Sequence, residues 1–401
     1  MKRVLVVAAL FLSLTVAAQR RRPSSTPATP RPVPNVTFGS PLPNLSAEHI
    51  AQWNQGRREF VDRRTIEEGI GPVFNGRSCG ECHNIPAAGG GAGRFVTRIA
   101  AITDGEYDDL TQHGGSLLQG ASLGTRDGLS HEFPPERVPA SATIVARRRA
   151  IPVFGLGLVD ATPDATFIAL AQQQALHTPA TAGRAALVQN IVAGMKTVGK
   201  FGWKANVATV QEFSADAYLN ELGITNPMFP DENCPAGDCS QLQYNPAPGL
   251  NDSGARVDNS AVFMRFLGPP PRGAITPAVL AGEAVFSRIG CAACHVPTLQ
   301  TGPNPNPALD RVTYHPFSDF LLHDMGPLGD GIVQGDARGT EMRTPPLWGL
   351  RAVGLFLHDG SARSFEDAIL KHDGQGRGAR DRFETLNATE REQLIAFLRS
   401  L

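Results

Sequence analysis

Cys79, Cys82 and His83 stand in the run SCGECH, and Cys291, Cys294 and His295 stand in the run GCAACH. A C-x-x-C pair spaces two thiols so that they can add across the two vinyl groups of a haem. The imidazole that follows can take the iron from one face, so C-x-x-C-H holds the attachment chemistry of a c-type haem in five residues. One copy alone could be a zinc or redox C-x-x-C beside a chance histidine. Zinc ribbons pair their cysteine knuckles at short spacing, however, and these two lie 212 positions apart, each behind a Gly-x-x-x-Phe run. Two covalently attached haems are therefore expected, with His83 and His295 as iron ligands.

An iron held on both faces carries electrons, whereas an iron with one free face can do chemistry. The sixth ligand thus decides what each haem does. Downstream of His83 there is no methionine until Met195, and the nearby histidines, His113 and His131, sit among glycines, serines and acids as surface or turn residues would. The first haem is a candidate for an open, five-coordinate iron. The second has no such shortage: His315, His323, Met325, Met342, His358 and His372 all follow His295. Spacing alone does not choose among them. The remaining cysteines, Cys234 and Cys239, lie in the turn-rich run ENCPAGDC and suit a small loop disulfide in an oxidising compartment.

The elements that must position these groups leave a weak repeat in the sequence. Gly56 and Phe60 share a helix face before the first C-x-x-C-H, and Gly282 and Phe286 do so before the second. The second of these helices has a start at Thr276 with Pro277 in its first turn. A closing helix is expected at the C-terminus, where Thr389 and Glu392 form a capping box and Leu394, Phe397, Leu398 and Leu401 repeat with helical spacing. Small cytochrome c folds resemble this layout. Between the two haem motifs, helix-like stretches are expected near Asp164 to Ala175 and Ala185 to Met195. Sustained period-2 alternation is missing, so the expected fold is mainly α: two cytochrome c-like haem domains with long loops, the first carrying a large insertion. The expected domains are 45–273 and 274–401.

Bulk composition adds bounds. With 401 residues, 41% apolar and 19% charged, the chain can bury real cores. A formal charge of -1 gives no basic surface for nucleic acid or anionic lipid. Lys2 and Arg3 followed by an apolar stretch from Val4 to about Val16 and then Ala17-Ala18 read as a signal peptide over 1–18, which implies a periplasmic, secreted protein. Residues 19–44 are rich in Pro, Ser, Thr and Arg and are expected to form a flexible leader. No segment reaches the roughly 20 apolar residues that a membrane span needs.

The runs GIGPVFNGRSCGECHNIPAAGG, RRRAIPVFGLGLVDATPDA, KFGWKANVATVQEF, SDFLLHDMGPLGDG, MRTPPLWGLR and FLHDGSARSFEDAILKHDG together resemble the di-haem oxidoreductases that are also called peroxidases or thiol oxidoreductases. The likeness runs from about Leu45 to Leu401. More distantly the chain is similar to bacterial di-haem cytochrome c peroxidases, to the enzyme that matures methylamine dehydrogenase, and to di-haem rubber oxygenases. The resemblance implies that His358 and His372 match the positions that surround the electron-transfer haem in the peroxidases. His372 is then the distal ligand of the second haem, with Met325 next in line. It also implies that the first haem is the reactive one and that a tryptophan relays electrons between the two, a role that falls on Trp203. His372 would give the second haem bis-histidine ligation, which normally lowers the potential relative to His/Met. The peroxidases carry calcium between their domains, but no acidic cluster in this sequence demands it.

Peroxide scission also needs an acid or base within reach of the open face, and Glu132 and Glu136, just before the RRRAIPVFGLG run, are the candidates. The expected activity is that of a cytochrome c peroxidase-like oxidoreductase. A small redox protein or other donor feeds the second haem, and hydrogen peroxide or dioxygen reacts opposite His83. Two other readings stand beside it: a pure electron carrier, in which His113 or His131 closes the first site, and an oxidant of a larger organic substrate.

Overall fold

The computed structural model describes residues 31–32, 37–91 and 93–401. The expected signal peptide lies outside the described residues. The described end of the expected leader is docked: Arg31–Pro32 pair in parallel with Val312 and Thr313, and Leu42 is buried with its amide on the carbonyl of Phe266.

Two helix pairs organise the chain around the two C-x-x-C-H motifs. Helix α1 (Ala47–Val61) is capped by Ser46, whose hydroxyl accepts from the amide of His49, and it buries Trp53, Gly56 and Phe60. That face crosses α5 (Ala255–Phe266), where a Cβ on Gly56 would collide with the carbonyl oxygen of Asn259. The second pair is α6 (Pro277–Arg288), which starts at the Thr276 cap, and α9 (Ala388–Ser400). Here a Cβ on Gly282 would collide with the carbonyl oxygen of Gln393, so each glycine is needed for close helix approach. Phe263 and Phe397 are the matching partners, with ring centroids 4.7 Å from Phe60 and 5.1 Å from Phe286. The capping box of α9 is formed by Asn387 and Glu390, two residues before the expected Thr389 and Glu392.

Between the two helices of the first pair lie α2 (Leu156–Asp160), α3 (Asp164–His177) and α4 (Val210–Leu222), and between those of the second α7 (Phe365–Leu370) and α8 (Arg377–Glu384). Among the described residues the fold is mixed, 36% helix and 15% strand, which corrects the mainly-α expectation. The strand Phe95–Thr103 pairs antiparallel with Ile144–Arg149, Glu106–Asp108 and Leu117–Leu118. Its partner IVARRR hides its alternation because the inward residue is Arg148, 4% exposed and held at 2.6 Å by Asp330. A polar residue on the buried face defeats any polar/apolar reading of period two. The stretch Ala185 to Met195, expected as a helix, is instead one arm and the turn of a hairpin pairing Leu187–Asn190 with Met195–Val198 through Gly194 at φ 68°.

The largest apolar core takes Trp53, Phe154 and Phe263 from one side of position 273 and Leu299, Tyr314 and Trp348 from the other. A second core, around Phe286, Phe317, Phe383 and Phe397, is wholly C-terminal. Among the described residues no helix is long and apolar enough to cross a membrane.

Candidate functional site

Both C-x-x-C-H motifs fold into a single 3-10 turn, Cys79–Glu81 and Cys291–Ala293, the second directly after α6 and the first after α1 and the short strand Val73–Phe74. The amides of His83 and His295 return to the carbonyls of Cys79 and Cys291, each at 3.0 Å. His83 donates from Nδ1 to the carbonyl of Gly90 at 3.1 Å, and His295 from Nδ1 to the carbonyl of Phe317 at 3.0 Å. A carbonyl only accepts, so the proton is on Nδ1 and the Nε2 lone pair of each ring is left for a metal. Burial pushes both imidazoles down to about 4, which keeps them in the neutral, ligating form. Gly90 is fixed by its surroundings, since a Cβ there would collide with the carbonyl of Ile85. Burial also raises the thiols of Cys79 and Cys291 to about 12, as suits sulfurs that sit in apolar surroundings.

A largely apolar cavity opens beside His295, lined also by Cys291, Cys294, Met325, Phe365 and His372. The histidines expected here are not equivalent. His323 has both ring nitrogens engaged, Nε2 with Asp319 at 3.0 Å and Nδ1 against the sulfur of Cys294 at 3.6 Å. His315 bonds the hydroxyl of Thr298 at 3.0 Å. His358 is buried edge-on to Trp203, with ring centroids 6.1 Å apart, and its carbonyl accepts from the amide of Arg149. His372 donates from Nδ1 to the carbonyl of Ala368 at 2.8 Å, which again leaves Nε2 free. Met325 reaches the same spot: a Cβ on Gly376 would lie 3.2 Å from the Cβ of His372 and 3.3 Å from the Cε of Met325.

Two guanidiniums and one indole complete the cavity. Arg343 is 3% exposed and donates only to the carbonyls of Gly202 and Thr344. Arg149 donates to the carbonyl of Leu357 at 2.9 Å. Neither forms an ion pair among the described residues, and burial lowers both to about 10. Buried cations are normally paired. Trp348, also buried, has an indole N–H with no partner in the structure. Haem fits this donor set: an apolar ring, thioether links to the cysteines, an imidazole on the iron, and two propionates for the cations and the indole.

The segments before α4 and α7 are the same structure shifted by 155 positions. Phe201 bridges Val207 and Phe356 bridges Ala362, while Gly202 and Leu357, then Ala205 and Gly360, take positive φ. Thr209 and Ser364 cap the two helices, each hydroxyl accepting from the amide three residues on. Trp203 therefore corresponds to His358, and at the same offset Ala217, inside α4, is matched by His372, two residues past the end of α7. The residues that line the second cavity from α7 and its end, Phe365, Ala368, Ile369 and His372, correspond to Val210, Phe213, Ser214 and Ala217. Ser214 is buried and its hydroxyl has no partner in the structure.

The other expected residues are accounted for individually. Trp203 donates from Nε1 to the carbonyl of Arg149 at 2.9 Å, and two residues further on the backbone of Ile151 meets the ring of His83. Trp203 thus lines the cavity beside His295, and the Arg149 carbonyl that it holds is two residues from the backbone that meets His83. The Glu132 carboxylate is taken up by the amide and hydroxyl of Thr125, at 2.7 and 3.1 Å. Glu136 accepts from the amides of Gln119 and Ala236, at 2.6 and 3.1 Å, so it braces the loop closed by the Cys234–Cys239 disulfide. His113 bonds Ser141, and His131 bonds Gln241 and stacks on Tyr244. Among the described residues no group of three or more His, Cys, Asp and Glu comes together that could hold an ion. Sequence reading missed Arg149, Arg343 and Trp348, although all three fall in runs that carry the family resemblance; an arginine or tryptophan gives no spacing signal until its lack of a partner is seen.

No curated protein matches the chain. Among solved structures it is similar to hydrazine synthase of Kuenenia stuttgartiensis, at 15% identity and a TM-score of 0.39 over 100% of both chains. It is also similar to a MauG-like protein associated with microbial copper homeostasis, at 15% identity and a TM-score of 0.40 over 93% of this chain and 94% of the other. Residues 137–401 match the family described as "Di-haem oxidoreductase, putative peroxidase". The chain belongs to that di-haem oxidoreductase family, and its cofactors are haems.

Proposed function

We propose that the chain is a periplasmic c-type peroxidase. Its second haem, attached at Cys291 and Cys294, is held by His295 and His372 and receives electrons from a small redox protein. Its first haem, attached at Cys79 and Cys82 and held by His83, keeps the opposite face free for hydrogen peroxide. One observation carries this reading: in two copies of one substructure, the position filled by His372 in the second is Ala217 in the first. A methyl group cannot ligate iron. The competing electron-carrier reading needs His113 or His131 at the first haem, and both have other partners.

The protein's own groups have distinct tasks. The Nδ1 bonds of His83 and His295 orient the ligating nitrogens. Arg149, Arg343 and Trp348 hold the propionates of the second haem, while Trp203 and the Arg149–Ile151 backbone join the two sites. The haems supply redox chemistry at iron. The export signal over 1–18 and the Cys234–Cys239 disulfide both fit an oxidising compartment. The test is peroxide consumption by the purified holoprotein with a reduced cytochrome or cupredoxin as donor. Turnover at two donor equivalents per peroxide supports the reading, and reduced protein that is inert to peroxide sinks it.

A further inference from the structure

We propose that Lys204 is the positioning residue that fixes Trp203 between the two haem sites, through an ammonium held in a cage of oxygens; this deepens the reading of Trp203 as a link between the sites and rests on it. Lys204 is fully buried, and its Nζ donates to the carbonyls of Arg338, Gly339 and Glu341 at 3.1, 3.0 and 2.6 Å and to Asp330 Oδ1 at 3.0 Å. An ammonium has three protons, so these oxygens leave none of them without an acceptor. All of them belong to one tight loop, residues 330–341, in which the amide of Gly331 bonds the carbonyl of Gly339 and Gln334 bridges Ala337.

The bonds made by Trp203 and Lys204 come in neighbouring pairs. Trp203 donates from Nε1 to the carbonyl of Arg149, and beside it Asp330 joins Lys204 to Arg148, whose Nε lies at 2.6 Å. The amide of Arg343 donates to the carbonyl of Trp203 at 2.8 Å, and beside it Lys204 holds the carbonyl of Glu341. Residues 203 and 204 are thus tied together to the strand Ile144–Arg149 on one side and to the strand Glu341–Arg343 on the other. An indole held by one bond can pivot; the second tie, from the next residue, removes that freedom. At the matching place in the second copy of the substructure stands Asp359, whose carboxylate accepts from the amide of Ser361 in a local turn. The cage belongs to the first copy alone.

The titratable and charged groups that face the ammonium are Asp330, Glu341, Arg148 and His358. Burial lowers Lys204 to about 8; Asp330 opposes the fall by its charge and its bond, Arg148 adds to it, and Glu341 opposes it. The cage therefore holds an ammonium at neutral pH and loses its proton as pH rises through about 8. A neutral amine has fewer protons and a lone pair, and that lone pair would face an oxygen. The tie on Trp203 then loosens.

The test starts from the holoprotein with its second haem reduced and follows the re-oxidation of that haem after peroxide is added, at a series of pH values. The wild-type rate should fall as pH rises through about 8. Lys204→Met keeps the length of the side chain without its charge; it should slow re-oxidation at neutral pH by about 10²-fold and remove the fall, with the optical spectra of both haems unchanged. A crystal structure of the same variant should show the Trp203 ring displaced from its place 6.1 Å from the ring of His358. Asp330→Asn takes away the charge that keeps the proton on Lys204, so its pH midpoint should lie below that of the wild type. A wild-type rate or an undisplaced indole in Lys204→Met, or an Asp330→Asn midpoint at or above the wild-type value, overturns the Lys204 proposal while the reading of Trp203 stands. If Lys204→Met does not fold, Asp330→Asn decides alone. If Trp203→Phe re-oxidises its second haem at the wild-type rate, the reading of Trp203 as the link has failed instead.

Discussion

Ala217 and His372 stand at the same offset in two copies of one substructure, each eight residues past a hydroxyl cap, Thr209 in one and Ser364 in the other, with Ala217 inside α4 and His372 two residues past the end of α7. The bridge at the start of each copy and the two positive-φ positions within it coincide at the same offset. In the proposed reading the asymmetry between the haems therefore reduces to one side chain.

Exchanging those side chains should exchange the behaviour of the haems. Ala217→His is expected to close the first iron, convert it to a low-spin spectrum and abolish peroxide reactivity. His372→Ala is expected to turn the second haem high-spin unless Met325 moves in. Optical and magnetic circular dichroism spectra of the two variants check this, and a first haem unchanged by Ala217→His contradicts it.

Arg343 is a buried cation and Arg149 a partly buried one, and propionates are the partners proposed for both. A nearby positive charge stabilises the reduced haem, which carries one charge less. Arg343→Gln should therefore lower the potential of the second haem, by about 60 mV for each ~1.4 kcal/mol of lost interaction, since one electron is transferred. Spectroelectrochemical titration measures it; an unchanged or raised potential argues against the assignment.

Gly56 and Gly282 sit where α1 meets α5 and α6 meets α9, against carbonyl oxygens of the partner helices. Gly56→Ala and Gly282→Ala should each destabilise the protein by about 1–3 kcal/mol through overpacking. An Ala substitution at Gly93, where no atom lies within 4 Å of the added Cβ, is the control and should be near neutral. Denaturant midpoints of the three variants test the contrast.

Glu232 gives a pH prediction for stability. Burial raises its carboxyl to about 7, against bonds from the amide of Asn233 and the side chain of Asn245 that lower it. Its folded value lies above the ordinary 4.5, so the unfolded chain releases its proton first as pH rises. Stability from this group is then fully present below about pH 4.5 and is lost as pH climbs towards 7. Glu232→Gln should remove that loss, gaining about 1–3 kcal/mol over the wild type at pH 7.5 relative to pH 4.5. Urea unfolding at the two pH values measures the difference, and equal gains at both contradict the assignment.

What the sequence made legible follows from chemistry that needs fixed spacing. The two C-x-x-C-H motifs, the Gly-x-x-x-Phe helices before them and the Thr276 start of α6 could be read directly. The partner helix α5 could not, because Val257, Ala261, Phe263, Met264 and Phe266 bury it on several sides and leave no clear apolar stripe. The sheet was hidden by Arg148 on its inner face, and the α9 cap was displaced because Asn387 and Glu390 satisfy the same three-residue rule as Thr389 and Glu392. The open side proposed for the first haem was least legible of all. Val210, Ser214 and Ala217 resemble ordinary helix residues until His372 supplies the comparison.

The most direct test of the account is an electron paramagnetic resonance spectrum of the oxidised, resting holoprotein. The account predicts one high-spin ferric signal from the haem at His83 and one low-spin signal from the haem held by His295 and His372. Two low-spin signals, with a protein ligand on each face of both irons, would contradict it.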